Sequence, residues 1–438
     1  MSQPEPIANA PPNPRMKSLL RRLAPRLLIA SFAVLAALKL ADLAIGLVAH
    51  THERHLLRLS PLSKLRHRSN EFDYIFRTNR LGLRGRDVPF IKPRGTFRIV
   101  VLGDSFVAGY GVAAEDLLTQ LLEEKIAVAR GAGMAAPEPD SSAETPTRVE
   151  VVNVGRVGTS TIRELDLYET IGRRFEPDLV ILAYYLGNDL AEVMEEQTHA
   201  ELAKWHPPGA TRRVAYALYP NLYLELALFR QSRRQLREFT DRSESEILGD
   251  IRREARARGR DPAKAEAKFE ALSPKIRRDV ASGMLAEQRI VDSCIEPDRL
   301  VRALDPGDEY FGQAWARTQE HLERLRQDVA QDNARMAIVV IPAPVQVDHK
   351  SLMFHKALGY DVRESWLVSP SRTQRAIVDW ARTAGVACLD LTDQFRAAEV
   401  PIYFIEDQHF TPEGHAAAAD AICDFLLRDS LLSRKVAP

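Results

Sequence analysis

The chain has 438 residues, of which 60 are basic and 60 acidic, for a formal net charge of zero. That neutrality lacks the basic footprint left by nucleic-acid binding, and the length exceeds what one ordinary core requires. Three cysteines, Cys294, Cys388 and Cys423, make no disulfide framework; Cys388 and Cys423 lie in apolar runs and read as small core hydrophobes, with one optional disulfide left open.

In chain order, residues 1–14 are Pro-rich and polar, the composition of a disordered segment. Within the basic tail 1–26, Arg15, Lys17, Arg21, Arg22 and Arg26 precede an apolar run, Leu27 to Ala49. As a helix that run spans about 35 Å at ~1.5 Å per residue, enough for a bilayer core of roughly 30 Å. The positive-inside rule then predicts a single-pass anchor with a cytoplasmic N-terminus and everything after it extracytoplasmic, in the periplasm. Lys39 and Asp42 count against this reading, since a charge at a helix centre costs ~2.5–3.5 kcal/mol on insertion scales. Three residues apart, they share a face and can pair, and both lie in the outer half, where a lysine reaches the interface. The run is long and lacks a small-x-small cleavage site, which disfavours a cleaved signal. The remaining alternative is an amphipathic helix lying on a surface.

Residues 50–97 read as a polar juxtamembrane linker. The apolar run after Arg98 ends abruptly in Gly103-Asp-Ser105, the pattern of a buried parallel strand delivering a serine to the sheet's carboxyl edge, where ligands bind in open α/β sheets. Residues 115–130 have helical spacing, with Leu117, Leu118, Leu121, Leu122 and Ile126 on one side. Gly131 to Thr147 reads as a loop. Val149 to Val154 is a second strand, followed by Gly155-Arg-Val-Gly158. Thr161 and Glu164 have capping-box spacing and predict a helix start, with Leu165, Tyr168 and Ile171 facing the sheet. Asp178 to Tyr185 is a third strand, ending in Leu-Gly-Asn188-Asp. Strands alternating with helices argue for a parallel, doubly wound sheet.

Residues 191–311 are charged and helix-prone, with an apolar patch from Tyr216 to Phe229. This insertion is expected to cap the sheet's carboxyl edge, either in contact with substrate or as a packing lid. The sheet resumes over 312–430, with strands at Met336–Ile341 and Val386–Leu391 and a helix near 371–384 between them, for about five strands in all. Asp407-Gln-His409 then precedes a last helix at roughly 412–427, with Thr411 as its N-cap and Pro412 at its first position.

These motifs supply the roles acyl transfer needs: a nucleophile, a base, a group orienting the base, and oxyanion donors. Ser105 offers a hydroxyl, useful only beside a base. His409 suits the base, its ordinary pKa lying near working pH, and Asp407 suits the imidazole's other nitrogen. The Ser105 N–H, the Gly158 N–H and the Asn188 amide, each at the end of a different strand, are the oxyanion candidates. Each motif alone is weak: Gly-x-x-Gly is commonly a tight turn, Asn-Asp after a strand is ordinarily a turn, and Asp-x-His before a helix can be surface capping. Together and in this order they form a coherent set.

That set resembles the SGNH/GDSL hydrolase superfamily, in its membrane-anchored bacterial form. Gly-Asp-Ser105, Asn-Val-Gly-Arg-Val-Gly158, Gly-Asn188-Asp and Asp407-Gln-His409 match its four blocks, over about 79–190 and 336–425. The resemblance implies a three-layer α/β/α, flavodoxin-like fold and esters or acyl groups as substrates. Many members have Asp-x-x-His, which places Glu406 at the acid position; members closer to Asp-x-His favour Asp407. No cofactor or metal is expected: Glu195, Glu196, His199 and His206 lack a ligand spacing, His349 and His355 fall at no expected strand end, and no phosphate loop occurs. His415 is expected to pack at the start of the last helix, with a substrate contact as the alternative. Three functions are compatible with the set: a membrane-anchored extracytoplasmic serine esterase; an O-acetyltransferase passing the acyl group to an envelope or secreted polysaccharide; and a non-catalytic binding module on the same fold.

Overall fold

A computed structural model describes residues 14–49, 62–131, 148–195, 210–223, 226 and 241–433. The expected disorder at the extreme N-terminus and the loop at 132–147 lie outside these. The chain separates into two compact units, 1–56 with 205–230, and 57–204 with 231–438.

The first unit is built on one long helix, Pro14–Ala49. Its segment Leu23–Ile45 has a mean hydropathy of 2.1 and is long and apolar enough to cross a membrane. Leu27, Leu28, Ile29 and Phe32 are all exposed along it. Lys39 and Asp42 do pair, at 3.3 Å. Each also meets backbone at or beyond the end of the helix Ala210–Leu218: Lys39 Nζ donates to the Leu218 carbonyl at 2.7 Å, and the Leu222 N–H donates to Asp42 at 3.0 Å.

The second unit opens with an antiparallel hairpin, β1 (Lys64–Arg68) and β2 (Asp73–Arg77). This corrects the linker reading over residues 64–77; residues 50–61 of that stretch lie outside the described residues. Charged residues occupy alternate positions on the outer face, and their density masked a period-2 strand whose inner face is Leu65, His67, Tyr74 and Phe76 in register.

Five parallel strands come next: β3 (Thr96–Gly103), β4 (Arg148–Gly155), β5 (Leu179–Tyr185), β6 (Arg335–Ile341) and β7 (Ala387–Asp390). Their spatial order is β4-β3-β5-β6-β7. The three-layer doubly wound sheet expected from the sequence is therefore present, in flavodoxin-like order. The strands read as largely apolar runs because both faces are covered, with Arg98 of β3 and Glu150 of β4 paired in the interior at 2.7 Å. Val100, Leu102, Val180 and Leu182 pack under Leu165, Tyr168 and the long helix Asp308–Gln331. Ile99, Val101 and Ile181 pack under the helices Leu118–Gly131 and Pro412–Arg428. Thr411 caps the last helix, accepting from the Gly414 N–H at 2.9 Å, and Pro412 sits at its first turn. The capping box expected at Thr161–Glu164 is absent. The N-cap of helix Thr161–Thr170 is Ser160, with no side-chain cap bond, and Glu164 is fully buried.

Between β5 and β6, the described residues from 241 to 304 form five helices, Glu244–Ala257, Pro262–Glu270, Pro274–Ala281, Glu287–Ile295 and Arg299–Leu304. Ser243 opens the first with a complete capping box. Cys294, Cys388 and Cys423 are all free.

Candidate active site

The strand order brings the site together. β3 lies between β4 and β5, so the loops after these three strands are neighbours although 83 residues separate Ser105 from Asn188. β3 ends at Gly103, and Asp104 caps a short helix, Ser105–Ala108, by accepting from the Phe106 N–H at 2.9 Å. That helix presses on β4 at Gly155, where a Cβ would stand 2.5 Å from the Ala108 nitrogen.

Ser105 Oγ lies 2.8 Å from His409 Nε2, and His409 Nδ1 lies 2.6 Å from Asp407 Oδ1. An ionised carboxylate only accepts, so Nδ1 carries the hydrogen and Nε2 is left to accept from the serine, a tautomer assigned from these partners. Asp104 offers Ser105 a second acceptor, but at 3.5 Å, the weaker geometry. The His409 ring rests between Tyr110 and Phe106, with centroids 4.7 and 5.2 Å away. Gln408 between the two triad-like residues is left-handed, at φ 72°, a conformation that turns the chain within one residue and that non-glycine residues adopt at some cost.

The neighbouring carboxylates differ in environment. Burial drives the Asp407 carboxyl upward, but the His409 charge and hydrogen bond, with Arg289 nearby, outweigh it and hold Asp407 below the usual carboxylate range. Glu406 points elsewhere, taking hydrogen bonds from Asn70 at 2.6 Å and Lys275 at 3.1 Å. Burial pushes the Asp104 carboxyl up to about 7, against the hydrogen bond from the Phe106 N–H and the nearby His409.

Three residues invisible to motif reasoning support this loop. Glu71, in the turn of the β1–β2 hairpin, accepts from three successive backbone N–H groups, those of Ile405, Glu406 and Asp407, at 2.6, 2.9 and 2.7 Å. Burial raises its carboxyl, and the three N–H groups partly oppose that. Arg289, from the inserted helices, donates to the Asp407 carbonyl. Tyr360 in turn donates to the Arg289 carbonyl at 2.9 Å. All three are polar residues in unremarkable local sequence, and only the tertiary fold brings them to the loop.

Gly158, at φ 68° with open space where a Cβ would stand, borders the same cleft as Ser105 and Asn188. Its glycine is therefore matched to backbone conformation rather than crowding. The Asn188 amide donates to Glu192 at 3.1 Å, which uses one of its two hydrogens. Glu192 is held by Arg299 at 2.8 Å. The cleft has a volume of about 600 Å³, with Leu65 and Phe76 of the hairpin on one side and Arg299, Leu300 and Tyr360 on another. The inserted helices thus line it. His355, which the sequence placed at no strand end, also borders it; burial pushes that imidazole down to about 4, and its Nδ1 is engaged by the Ser351 carbonyl at 2.9 Å. His415 stands outside the cleft, fully buried, with Nδ1 accepting from the Leu118 N–H at 3.2 Å. Among the described residues no group of three His, Cys, Asp or Glu is placed to hold a metal; Glu196, His199 and His206 lie outside them.

Residues 308–436 match the model of a family described as an SGNH hydrolase-like domain, acetyltransferase AlgX. The match includes Asp407 and His409 but not Ser105. No protein of curated function matches the chain. Among solved structures, a G-D-S-L family lipolytic protein from Desulfitobacterium hafniense is 10% identical, with 75% of this chain and 99% of that one covered, at a TM-score of 0.33. A lipase/acylhydrolase from Enterococcus faecalis is 12% identical, covering 78% and 100%, at a TM-score of 0.34. An acetyl xylan esterase, AlAXEase, is 12% identical, covering 74% and 98%, at 0.32.

Proposed function

We propose that this chain, whose residues 308–436 match the model of an SGNH hydrolase-like domain, is a membrane-anchored, extracytoplasmic serine esterase. The observation that carries the reading is the unbroken relay Ser105 Oγ–His409–Asp407, at 2.8 and 2.6 Å, opening on one cleft. Ser105 Oγ attacks an ester carbonyl while His409 Nε2 takes its proton. The carbonyl oxygen, now negative, is held by the N–H groups of Ser105 and Gly158 and by the Asn188 amide; one such donor is typically worth ~2.7–4 kcal/mol. His409 returns the proton to the leaving alcohol, and the acyl group stays on Ser105. Water, deprotonated by the same nitrogen, then releases the acid. Asp407 orients the imidazole and stabilises its charged form. Placement outside the cytoplasm rests on the helix Leu23–Ile45 and the arginines and lysine before it.

A second reading, transfer of the acyl group from Ser105 to a sugar hydroxyl of an envelope or secreted polysaccharide, is favoured by the family model matched at 308–436. Both readings share every step up to the acyl-enzyme. In the test, the full chain in detergent is given a short-chain chromogenic ester, with and without an oligosaccharide acceptor. Ser105-dependent release of acid supports hydrolysis, and acyl groups found on the sugar by mass support transfer. Equal turnover by wild type and Ser105→Ala overturns both.

A further inference from the structure

The ion pair in the apolar helix has partners that an isolated anchor would lack. Asp42 is 1% exposed, bonded to Lys39 at 3.3 Å and to the Leu222 N–H at 3.0 Å. Lys39 donates to the Leu218 carbonyl at 2.7 Å. Leu218 C=O and Leu222 N–H are four residues apart, the two groups an unbroken helix pairs with each other. Between them lies Pro220, which lacks an N–H and disrupts the helix ladder. The Lys39–Asp42 pair sits in that break, so two charges and two backbone groups satisfy one another. In hydrocarbon every such group must find a partner within the protein.

The depth of this contact says what surrounds it. Lys39 and Asp42 lie six and three residues before Ile45, the end of the apolar segment. At ~1.5 Å per residue that is about 5–9 Å below the segment's outer end. Amphipathic helices that lie in a bilayer interface bury their apolar face by a similar roughly 5–10 Å. The composition fits that place. Val214 and Leu218 are 58% and 53% exposed, Arg212 and Arg213 are exposed, and tyrosines recur at 216, 219 and 223, before, at and after the break in the helix. Tyr216 and Tyr223 pack edge to face at 5.7 Å, and the Lys39 ammonium stands 5.9 Å from the Tyr219 ring centre. Tyrosine is enriched at the headgroup level, and arginines are common on the polar face of helices that lie in the interface.

We propose that residues 210–223 form a second membrane-contact element, seated in the outer interfacial layer of the bilayer against the anchor helix through the Lys39–Asp42 pair. This rests on the reading of that helix as an anchor, and the test separates the two. The full chain is reconstituted in phosphatidylcholine/phosphatidylglycerol vesicles with a nitroxide on Val214→Cys, or, as a control, on Arg253→Cys of the inserted helices. Carbonate extraction reports the anchor: a chain released from the vesicles refutes that reading by itself. With the chain retained, the Val214 label is expected to be relaxed several-fold more by oxygen than by a water-soluble nickel complex, and the Arg253 label the reverse. A Val214 label open to nickel like the control overturns the proposal, as does one shielded from both, which means protein packing instead. With Lys39→Leu/Asp42→Leu the chain is expected to stay in the vesicles while the Val214 label moves toward nickel exposure. A label unmoved by that double change overturns the role of the pair.

Discussion

Two adjacent carboxylates in the 404–409 loop have different partners, and the difference is measurable. Asp407 bonds the imidazole, whereas Glu406 is engaged by Asn70 and Lys275. Asp407→Asn, which disturbs the tautomer, is expected to lower kcat by roughly 10³–10⁴, the scale seen when a triad acid is neutralised elsewhere. Glu406→Gln is expected to leave kcat within about threefold, because it loses only an exposed pair of small worth. Similar losses in the two variants would refute the assignment of the acid. Glu71 holds the same loop from the hairpin. Glu71→Ala removes an acceptor from three N–H groups, and misplacing a catalytic group by about 1 Å can cost ~10²-fold. The expected outcome is a fall of that order in kcat with little change in KM, read by steady-state kinetics on a chain whose circular dichroism is unchanged. An unaltered kcat would show that the loop keeps its shape without Glu71.

At the scale of elements, the serine's position depends on how closely the helix Ser105–Ala108 approaches β4. Gly155→Ala puts a methyl group where the Ala108 nitrogen stands 2.5 Å away, and backbone has to yield. Overpacking of this kind costs ~1–3 kcal/mol, and the shift moves Ser105 itself. We expect a lowered thermal midpoint together with a loss in kcat of about 10²; full activity at wild-type stability would contradict the close approach. The same elements show what the sequence made legible. The five strands, their parallel order and the loops bearing Ser105, Gly158, Asn188 and His409 could be read because buried parallel strands are long apolar runs bounded by glycine and polar turns. The β1–β2 hairpin could not: five residues per strand with charges at alternate positions resemble a solvated linker, and their meaning appears only when Leu65 and Phe76 meet the cleft. Glu71 and Arg289 stayed invisible for a related reason. Each acts on backbone groups more than a hundred residues away, and such contacts leave no local pattern.

For the molecule as a whole, buried histidines tie stability to pH. His415 is fully buried between the helices Leu118–Gly131 and Pro412–Arg428, and burial pushes its imidazole down to about 3. The unfolded chain takes up a proton there below about pH 6.5 while the folded chain does not. Bound protons then favour unfolding, so this contribution is lost as pH falls from about 6.5 toward the folded value, by at most ~1.4 kcal/mol per pH unit. His415→Asn, which keeps an acceptor for the Leu118 N–H, is expected to flatten the acid limb of stability measured by denaturant unfolding. Parallel acid limbs in the two proteins would mean that His415 does not titrate on unfolding.

The reading of this chain as a serine enzyme stands on Ser105 being made nucleophilic by His409. The direct measurement is phosphonylation of the full chain by a fluorophosphonate, located by mass spectrometry of the proteolysed protein. The account predicts one phosphonyl group, on the peptide carrying Ser105, absent in Ser105→Ala and formed at least about 10³-fold more slowly in His409→Ala. A folded wild-type chain that stays unlabelled at Ser105, or that is labelled at Ser105 as fast without His409 as with it, would contradict it.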